Sequence, residues 1–220
     1  MSFTNATFAQ QLRFGMIAES AIATWMRRRG WSVLPAYEKE IDSGKGPRLF
    51  TPNQALISPD MLAFQGVRVY WVEAKHKTAF TWHRKTSCWT TGIDLRHYKD
   101  YCKVADESPW PVWLLFLQRG GHAKDSPETS PCGLYGNSID YLREHESHRW
   151  DSVGMVYWSI DSLRLLTTME EMATPATPAM PCTIPPEKIA ARTDRTAAST
   201  YTPSAFYRRL RAAQGRGSGE

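Results

Sequence analysis

Two apolar segments separated by a two-residue turn constrain this chain more than any other feature. Residues 55–64 (ALISPDMLAF) and 67–76 (VRVYWVEAKH) flank Gln65 and Gly66. Apolar segments of strand length joined by two residues that include a glycine predict an antiparallel β-hairpin. Charged residues that interrupt such a hairpin therefore take defined positions on its faces.

Among the charged residues of the hairpin, Asp60, Glu73 and Lys75 form a pattern. Side chains alternate between the faces of a strand, so Glu73 and Lys75 project to one side while Ala74 points to the other. If the two strands pair, Asp60 is brought across from Glu73. Two carboxylates there provide the hard oxygen ligands that Mg²⁺ prefers, and a metal offsets the cost of half-burying them. The hairpin thus predicts a divalent-metal site.

Helical and extended patterns surround the hairpin. Apolar residues recurring every three to four positions predict a long helix from Thr7 to Arg29, with Gly30 as its C-cap. A strand over 31–37 follows, and the polar stretch 38–54 is predicted to be a loop that could touch a ligand.

Downstream of the hairpin, residues 77–93 show no regular period. Four further elements are predicted: a helix over 94–105 with Asp94 as N-cap, a buried strand over 111–118, a strand over 153–160, and a helix over 161–172 with Asp161 as N-cap. The predicted fold class is therefore α/β, with a central mixed β-sheet of four or five strands flanked by helices.

Composition divides the chain into three parts. Residues 1–172 are predicted to form one domain, because the chain is too short for two complete cores. Residues 173–186 contain five prolines in fourteen positions, which favours an extended linker. Residues 187–220 carry seven Lys or Arg against three acidic residues and form a basic tail that is predicted to be flexible.

The motif residues resemble a known signature. Pro59-Asp60 is similar to the PD element, and Glu73-Ala74-Lys75 to the ExK element, of the PD-(D/E)xK nuclease superfamily, which includes restriction endonucleases and archaeal Holliday-junction resolvases. Glu19 on the first helix matches a glutamate upstream of the motif in that superfamily. The resemblance covers residues 8–118 and implies a restriction-endonuclease-like core.

The resemblance implies a role for each residue. Asp60, Glu73 and the Ala74 carbonyl would hold Mg²⁺, for which Mn²⁺ would substitute. Lys75 would position the attacking water or help to deprotonate it, and its charge would stabilise the transition state. Glu19 would complete the catalytic set through a bound water or a second ion. His97 or Tyr98 could supply a further polar group from the next helix.

The segment after the hairpin favours a nucleic-acid partner. Residues 75–103 hold seven Lys or Arg against two Asp, interleaved with aromatic residues that can stack on bases. The alternative is that the aromatics are core and the cations a solvated rim. The predicted DNA contacts are Lys77, Arg84, Lys85, Arg96, Tyr98, Lys99, Arg208, Arg209 and Arg211.

The function that the sequence favours is a Mg²⁺-dependent deoxyribonuclease, an endonuclease of the kind found in phages or mobile elements. One alternative is a Holliday-junction resolvase acting as a homodimer. Another is a catalytically silent DNA-binding or assembly protein. The formal net charge of +5 suits a polyanionic partner.

The expected location is the cytoplasm, without a membrane partner. The first residues show no basic segment followed by an apolar core, and no apolar run of about eighteen residues is long enough to span a bilayer. Widely spaced cysteines without a CxxC pair fit a reduced compartment: Cys88, Cys102, Cys132 and Cys182.

Overall fold

Extended segments dominate the described residues that follow the first helix. A computed structural model describes the backbone of residues 5–36, 48–150 and 152–174, and the side chains from residue 15 onward. Its helices are α1 (Asn5–Arg28), α2 (Leu95–Glu107), α3 (Ile139–Glu144) and α4 (Met169–Ala173). Its strands are β1 (Ser32–Pro35), β2 (Arg48–Phe50), β3 (Ala55–Ile57), β4 (Met61–Gln65), β5 (Arg68–Lys77), β6 (Thr81–His83), β7 (Cys88–Asp94), β8 (Val112–Gln118), β9 (Gly121–His122), β10 (Thr129–Ser130), β11 (Gly133–Ser138), β12 (His148–Trp150), β13 (Met155–Ser159) and β14 (Arg164–Thr167).

The central sheet is mixed. Its strand order is β1-β4-β5-β8-β11-β14, with β5 and β8 parallel and the other neighbours antiparallel. The predicted α/β class, with a central mixed sheet flanked by helices, is confirmed. The sheet has six strands rather than four or five, because β1 and β14 extend its two edges.

The predicted hairpin is confirmed as β4 and β5, with Gly66 in the turn at φ 61°. Its first segment is broken at Ser58 and Pro59, so residues 55–57 form β3 and pair with β2 instead. The stretch predicted to be a loop therefore contains a strand at residues 48–50. Prolines cannot donate to a ladder, which fits a break between strands just before Asp60.

The two faces of the central sheet carry separate apolar clusters. On one face Ala18 and Ile22 of α1 pack with Val72 and Ala74 of β5. On the other face Leu114 and Phe116 of β8 join a cluster that includes residues of α2, α3, β7 and β13. The alternation along β5 directs Glu73 and Lys75 to this second face.

A second sheet arises partly from the stretch without a clear period. Its order is β12-β13-β7-β6, and β7 pairs with the predicted strand β13. Trp158 of β13 and Ile93 of β7 are buried against the second face of the central sheet. Residues 77–93 lack a helical period because they contain the paired strands β6 and β7 and the turn between them.

Two predicted helix boundaries are confirmed, the start of α2 and the end of α1. Asp94 caps α2, and its carboxylate accepts hydrogen bonds from the backbone N–H groups of Arg96 at 2.8 Å and His97 at 3.2 Å. Gly30 follows α1 with φ 82°, the left-handed conformation typical of a residue that ends a helix.

The predicted helix over 161–172 is wrong. Residues 160–162 form a single 3₁₀ turn capped by Ser159, and residues 164–167 form β14, which pairs with β11. Thr168, rather than Asp161, caps the short helix α4 in a capping box with Glu171. The leucine spacing suited a helix, but pairing with a strand distant in the sequence overrides that local preference.

The predicted linker and tail lie outside the described residues, except that residues 173 and 174 complete α4 and its cap. The Arg28 guanidinium donates hydrogen bonds to the backbone carbonyls of Met172 and Thr174, each at 2.9 Å. No helix in the described part of the chain is long and apolar enough to cross a membrane.

Candidate active site

Asp60 and Glu73 lie side by side at the start of β4 and the middle of β5. The antiparallel register pairs Met61 with Val72, so Asp60 stands opposite Glu73. The Asp60 N–H donates to the Glu73 carboxylate at 3.2 Å, and the Ala74 N–H donates to the Asp60 carboxylate at 2.9 Å. The two carboxyl groups are therefore fixed by backbone hydrogen bonds.

Lys75 completes the group on the same face. Its ammonium forms an ion pair with the Glu73 carboxylate and lies 6.0 Å from the centre of the Tyr101 ring of α2. The Lys75 side chain is 27% exposed, whereas Glu73 is only 1% exposed. The face therefore has a buried carboxylate at its base and an ammonium that reaches solvent.

Burial governs the charges of this group. Burial first, and then the charge of Asp60, raise the pKa of Glu73 to about 8, against the opposing effect of Lys75. Burial acts to lower the pKa of Lys75, but the charges of Glu73, Asp60 and Glu19 outweigh it and hold this pKa above its usual value. Without a metal, the site retains the Lys75 ammonium, and Glu73 takes up a proton more readily than a solvated carboxyl does.

Glu19 lies on α1, which packs on the opposite face of the sheet from Glu73. Its side chain is half-buried, and its charge contributes to the raised pKa of Lys75. The structure thus brings together Asp60, Glu73 and Lys75 directly, while Glu19 acts on the group through its charge.

The donor set fits a hard divalent cation. Asp60 and Glu73 supply carboxylate oxygens, and the Ala74 carbonyl is the third donor that the sequence predicts. Among the described residues, no group of three or more His, Cys, Asp or Glu side chains is placed to hold a metal. Two carboxylates with a carbonyl match Mg²⁺, which keeps several waters when bound, better than a zinc site of four protein ligands.

Tyr101 is one of the aromatic residues interleaved with the cations of residues 75–103, and it is buried, as the core alternative expects, but it also belongs to the site. It is 2% exposed, and hydrogen bonding from its side chain acts to lower the pKa of Glu73. One helical turn earlier, His97 faces the same way, and the rings of His97 and Tyr101 are 6.2 Å apart. In the sequence, His97 and Tyr101 are four residues apart on the helix that follows the motif, and this spacing could have predicted that both side chains face the site.

Tyr98, predicted to contact DNA or to complete the site, is placed elsewhere. It is 3% exposed, packs edge-on against Trp158, and donates its hydroxyl hydrogen bond to Glu146 at 2.7 Å. Its position between α2 and the second sheet is that of a core residue, because its polar tip is already paired.

The other predicted DNA contacts occupy different surfaces. Arg84 and Lys85 are exposed in the turn after β6, where Arg84 pairs with Asp125 at 2.8 Å. Arg96 and Lys99 are exposed on the outer side of α2. The tail contacts Arg208, Arg209 and Arg211 lie outside the described residues.

Lys77, two residues after Lys75 on β5, projects to the same face as Glu73 and Lys75. Burial, and then the charge of Lys75, lower its pKa to about 8. Beside it in the parallel register is Gln118, which is fully buried and donates to the Thr91 hydroxyl at 3.1 Å. The Gln118 side-chain carbonyl oxygen has no partner among the described residues.

No protein-family profile matches the sequence, and no curated protein matches it. Among solved structures, the chain is similar to Hjc of Archaeoglobus fulgidus, a Holliday junction resolvase from an archaeal hyperthermophile. The two are 9% identical with a TM-score of 0.42, over 73% of this chain and 100% of the other. A likeness of this degree does not establish a family for the chain.

Proposed function

We propose that this protein is a metal-dependent deoxyribonuclease that hydrolyses phosphodiester bonds in DNA. The observation that carries the proposal is the convergence of Asp60, Glu73 and Lys75 on one face of the hairpin. A buried carboxylate with a strongly raised pKa, beside a second acid and an ammonium, is typical of a functional site. An ion pair serving stability alone would not need the second acid.

The arrangement suits hydrolysis of a phosphodiester. A bound Mg²⁺ supplies Lewis acidity to the phosphate and lowers the pKa of a bound water. Asp60 and Glu73 orient the cation, because backbone N–H groups fix both carboxylates. The Lys75 ammonium, on the more exposed side of Glu73, stabilises negative charge that develops on the phosphate oxygens.

Tyr101 and Glu19 position Lys75 and Glu73 in this proposal. The Tyr101 ring borders the Lys75 ammonium, and the Glu19 charge helps to keep Lys75 protonated. A protonated Lys75 can attract a phosphate and orient the attacking water but cannot remove its proton. The proton acceptor is then a solvent base or a neighbouring phosphate oxygen rather than Lys75.

Cleavage of a covalently closed plasmid tests the proposal. A closed circle has no ends, so conversion to nicked or linear DNA identifies an endonuclease. Wild type is expected to cut with Mg²⁺ or Mn²⁺ and to be inactive with EDTA. Asp60→Asn, purified in parallel, controls for contaminating nucleases. DNA binding without cutting by the wild type would instead support the catalytically silent alternative.

The resolvase alternative calls for a second substrate. A mobile four-way junction, compared with linear duplex of the same length, separates the two nuclease functions. Symmetric paired nicks on the junction alone, by a protein that sediments as a dimer, would identify a resolvase. Equal cutting of both DNAs supports the general endonuclease. The phage or mobile-element setting stays a prediction.

A further inference from the structure

The outer side of α2 carries a stripe of cations. Arg96, Lys99 and Lys103 follow one another at spacings of three and four residues, so their side chains share a helix face. Within the described part of the chain, Arg96 and Lys99 have no carboxylate at ion-pair distance. Lys103 donates to the neutral amide of Gln54 at 3.2 Å. Like charges on one face repel, so these three cations do not stabilise one another.

The stripe forms one wall of a groove of about 500 Å³. Arg143 of α3 and Arg149 of β12 contribute to the opposite wall, so five Arg or Lys line the groove against two acidic residues. Glu146 already accepts hydrogen bonds from Tyr98 and Arg149. Asp100 accepts from the Ile57 N–H at 3.0 Å. Glu146 pairs with Arg149, and Arg143 pairs with Asp106 outside the groove at 2.8 Å. The excess positive charge of the groove therefore comes from the stripe of Arg96, Lys99 and Lys103.

We propose that this groove, between α2, α3 and β12, binds the sugar-phosphate backbone of a DNA arm next to the phosphate that is cut. This inference rests on the proposed function, because it identifies the surface that holds the DNA beyond the phosphate that is cut. Arg96 and Lys103 are seven residues apart, about 10 Å along a helix axis. A DNA strand carries one phosphate per about 3.4 Å of helix axis, so the stripe matches about three phosphates.

The chemistry of the groove favours phosphates over bases. Its one aromatic residue, Tyr98, is buried with its hydroxyl paired, so no ring is offered for stacking. Guanidinium and ammonium groups bind phosphate oxygens regardless of sequence. The groove therefore supplies affinity and orientation rather than sequence recognition.

The groove adjoins the candidate active site through α2. The inner side of this helix holds Tyr101 beside Lys75, while the outer side holds Lys99 and Lys103. Arg96 lies next to His97, whose pKa is lowered mainly by burial and then by the charge of Lys75. In this proposal, a DNA strand that leaves the motif passes over the first turn of α2, at Arg96 and His97, to enter the groove.

The test compares two triple variants in an Asp60→Asn background with EDTA, where binding is measured without cleavage. The groove variant is Arg96→Ala/Lys99→Ala/Lys103→Ala. The charge-matched control, Arg68→Ala/Lys124→Ala/Arg164→Ala, removes exposed cations outside the groove. Fluorescence anisotropy with a labelled duplex, repeated over a series of salt concentrations, gives the affinity and its salt dependence. Melting temperatures verify that both variants fold.

The groove variant is expected to bind at least about tenfold more weakly at low salt, with the slope of log K against log salt reduced by about 2.7. It should melt no lower than its parent, since alanine favours a helix and the repulsion is relieved. Equal weakening by both variants would overturn the proposal, because total charge would then explain binding. Preferential competition by polyglutamate over DNA would also overturn it in favour of an acidic protein partner.

The same substitutions with Asp60 restored separate this inference from the proposed function. If the protein never cuts DNA but the groove variant alone loses duplex binding, the groove stands and the nuclease proposal fails. If cutting and binding persist unchanged in the groove variant, the nuclease stands and the groove proposal fails.

Discussion

The Asp60 backbone N–H donates a hydrogen bond to the Glu73 carboxylate across the β4–β5 pair, at 3.2 Å. In turn, the backbone N–H of Ala74, the residue after Glu73, donates a hydrogen bond to the Asp60 carboxylate. The strand register that folds the hairpin therefore also aligns the two acids. Substitutions that keep side-chain shape should separate the chemistry of these acids from the fold.

Asp60→Asn and Glu73→Gln are each expected to reduce Mg²⁺-dependent cleavage by more than about a thousandfold, because bound metal supplies several kcal/mol of transition-state stabilisation. Both variants should keep the wild-type circular dichroism spectrum. The alanine variants should lose cleavage equally, although Glu73→Ala also removes the partner of Lys75. Undiminished plasmid cutting by both shape-conserving variants would contradict the site.

Lys75→Met should still bind DNA and metal but cut at least about a hundredfold more slowly, because the ammonium acts on the developing charge. Methionine keeps the apolar stem beside Tyr101 while removing the charge. Single-turnover cleavage with saturating enzyme measures the chemical step. Lys124→Met, at an exposed position outside the predicted DNA contacts, is the matched control, and equal rates for the two variants would remove Lys75 from the mechanism.

The raised pKa of Glu73 predicts a pH-dependent stability. In metal-free protein this carboxyl holds its proton up to about pH 8, whereas in the unfolded chain it ionises near its ordinary value of 4.5. The folded state therefore binds more protons between these pH values, and its stability falls as pH rises through this window. Thermal melting in EDTA should show this decline in the wild type and much less of it in Glu73→Gln.

Added Mg²⁺ should reverse that decline. A metal requires ionised Glu73, so binding below about pH 8 releases a proton, and apparent affinity should rise by up to about tenfold per pH unit. The Mg²⁺-induced increase in melting temperature is thus expected to be larger at pH 8 than at pH 6. An increase independent of pH, or one that persists in Glu73→Gln, would place the metal elsewhere.

Two glycines should respond to alanine in opposite directions. A Cβ at Gly92 would lie 2.4 Å from the Val156 carbonyl oxygen and 2.7 Å from the Tyr157 ring, so Gly92→Ala should cost about 1–3 kcal/mol. At Gly15 in α1 the nearest atom is 3.8 Å away, so Gly15→Ala should stabilise by about 0.5–1 kcal/mol. Urea denaturation measures both, and a neutral Gly92→Ala would contradict the β7–β13 pairing.

The basic tail, residues 187–220, lies outside the described residues. Deleting residues 175–220 is expected to leave cleavage intact but to weaken DNA binding. Losing phosphate contacts by Arg208, Arg209 and Arg211 would reduce the salt slope by about 2.7. The cut follows Thr174 because Arg28 binds its carbonyl and that of Met172. Coincident salt slopes for the two lengths would show that the tail does not contribute to binding.

Local patterns predicted the hairpin, α1, α2 and β8, because each carries its own period, cap or turn. The positions of Glu73 and Lys75 on one face followed from strand alternation alone. Asp60 required only the pairing of adjacent strands. All of these features are determined by residues that are close together in the chain, so the sequence alone predicts them.

The missed features depend on distant contacts. Nothing within residues 161–172 specifies that β11 is available as a partner for β14. Residues 77–93 become strands because β13 pairs with β7. Tyr101 matched the pattern of a core residue, and its second role emerges only once α2 is placed over β5. The secondary structure of such segments is determined by pairing with distant strands, which local propensity does not reveal.

The parallel pairing of β5 with β8 has a consequence for the order in which the site is assembled. Glu73 is paired in register with Leu114, so β6, β7 and α2 must all be synthesised before its strand gains that neighbour. At a translation rate of about 5–20 residues per second, the roughly 40 residues between Glu73 and Leu114 take seconds to synthesise, and until then β5 lacks this neighbour. Burial of Glu73 requires β8 and α2 to be in place, so the nascent chain acquires its unusual acid only after most of the domain has emerged.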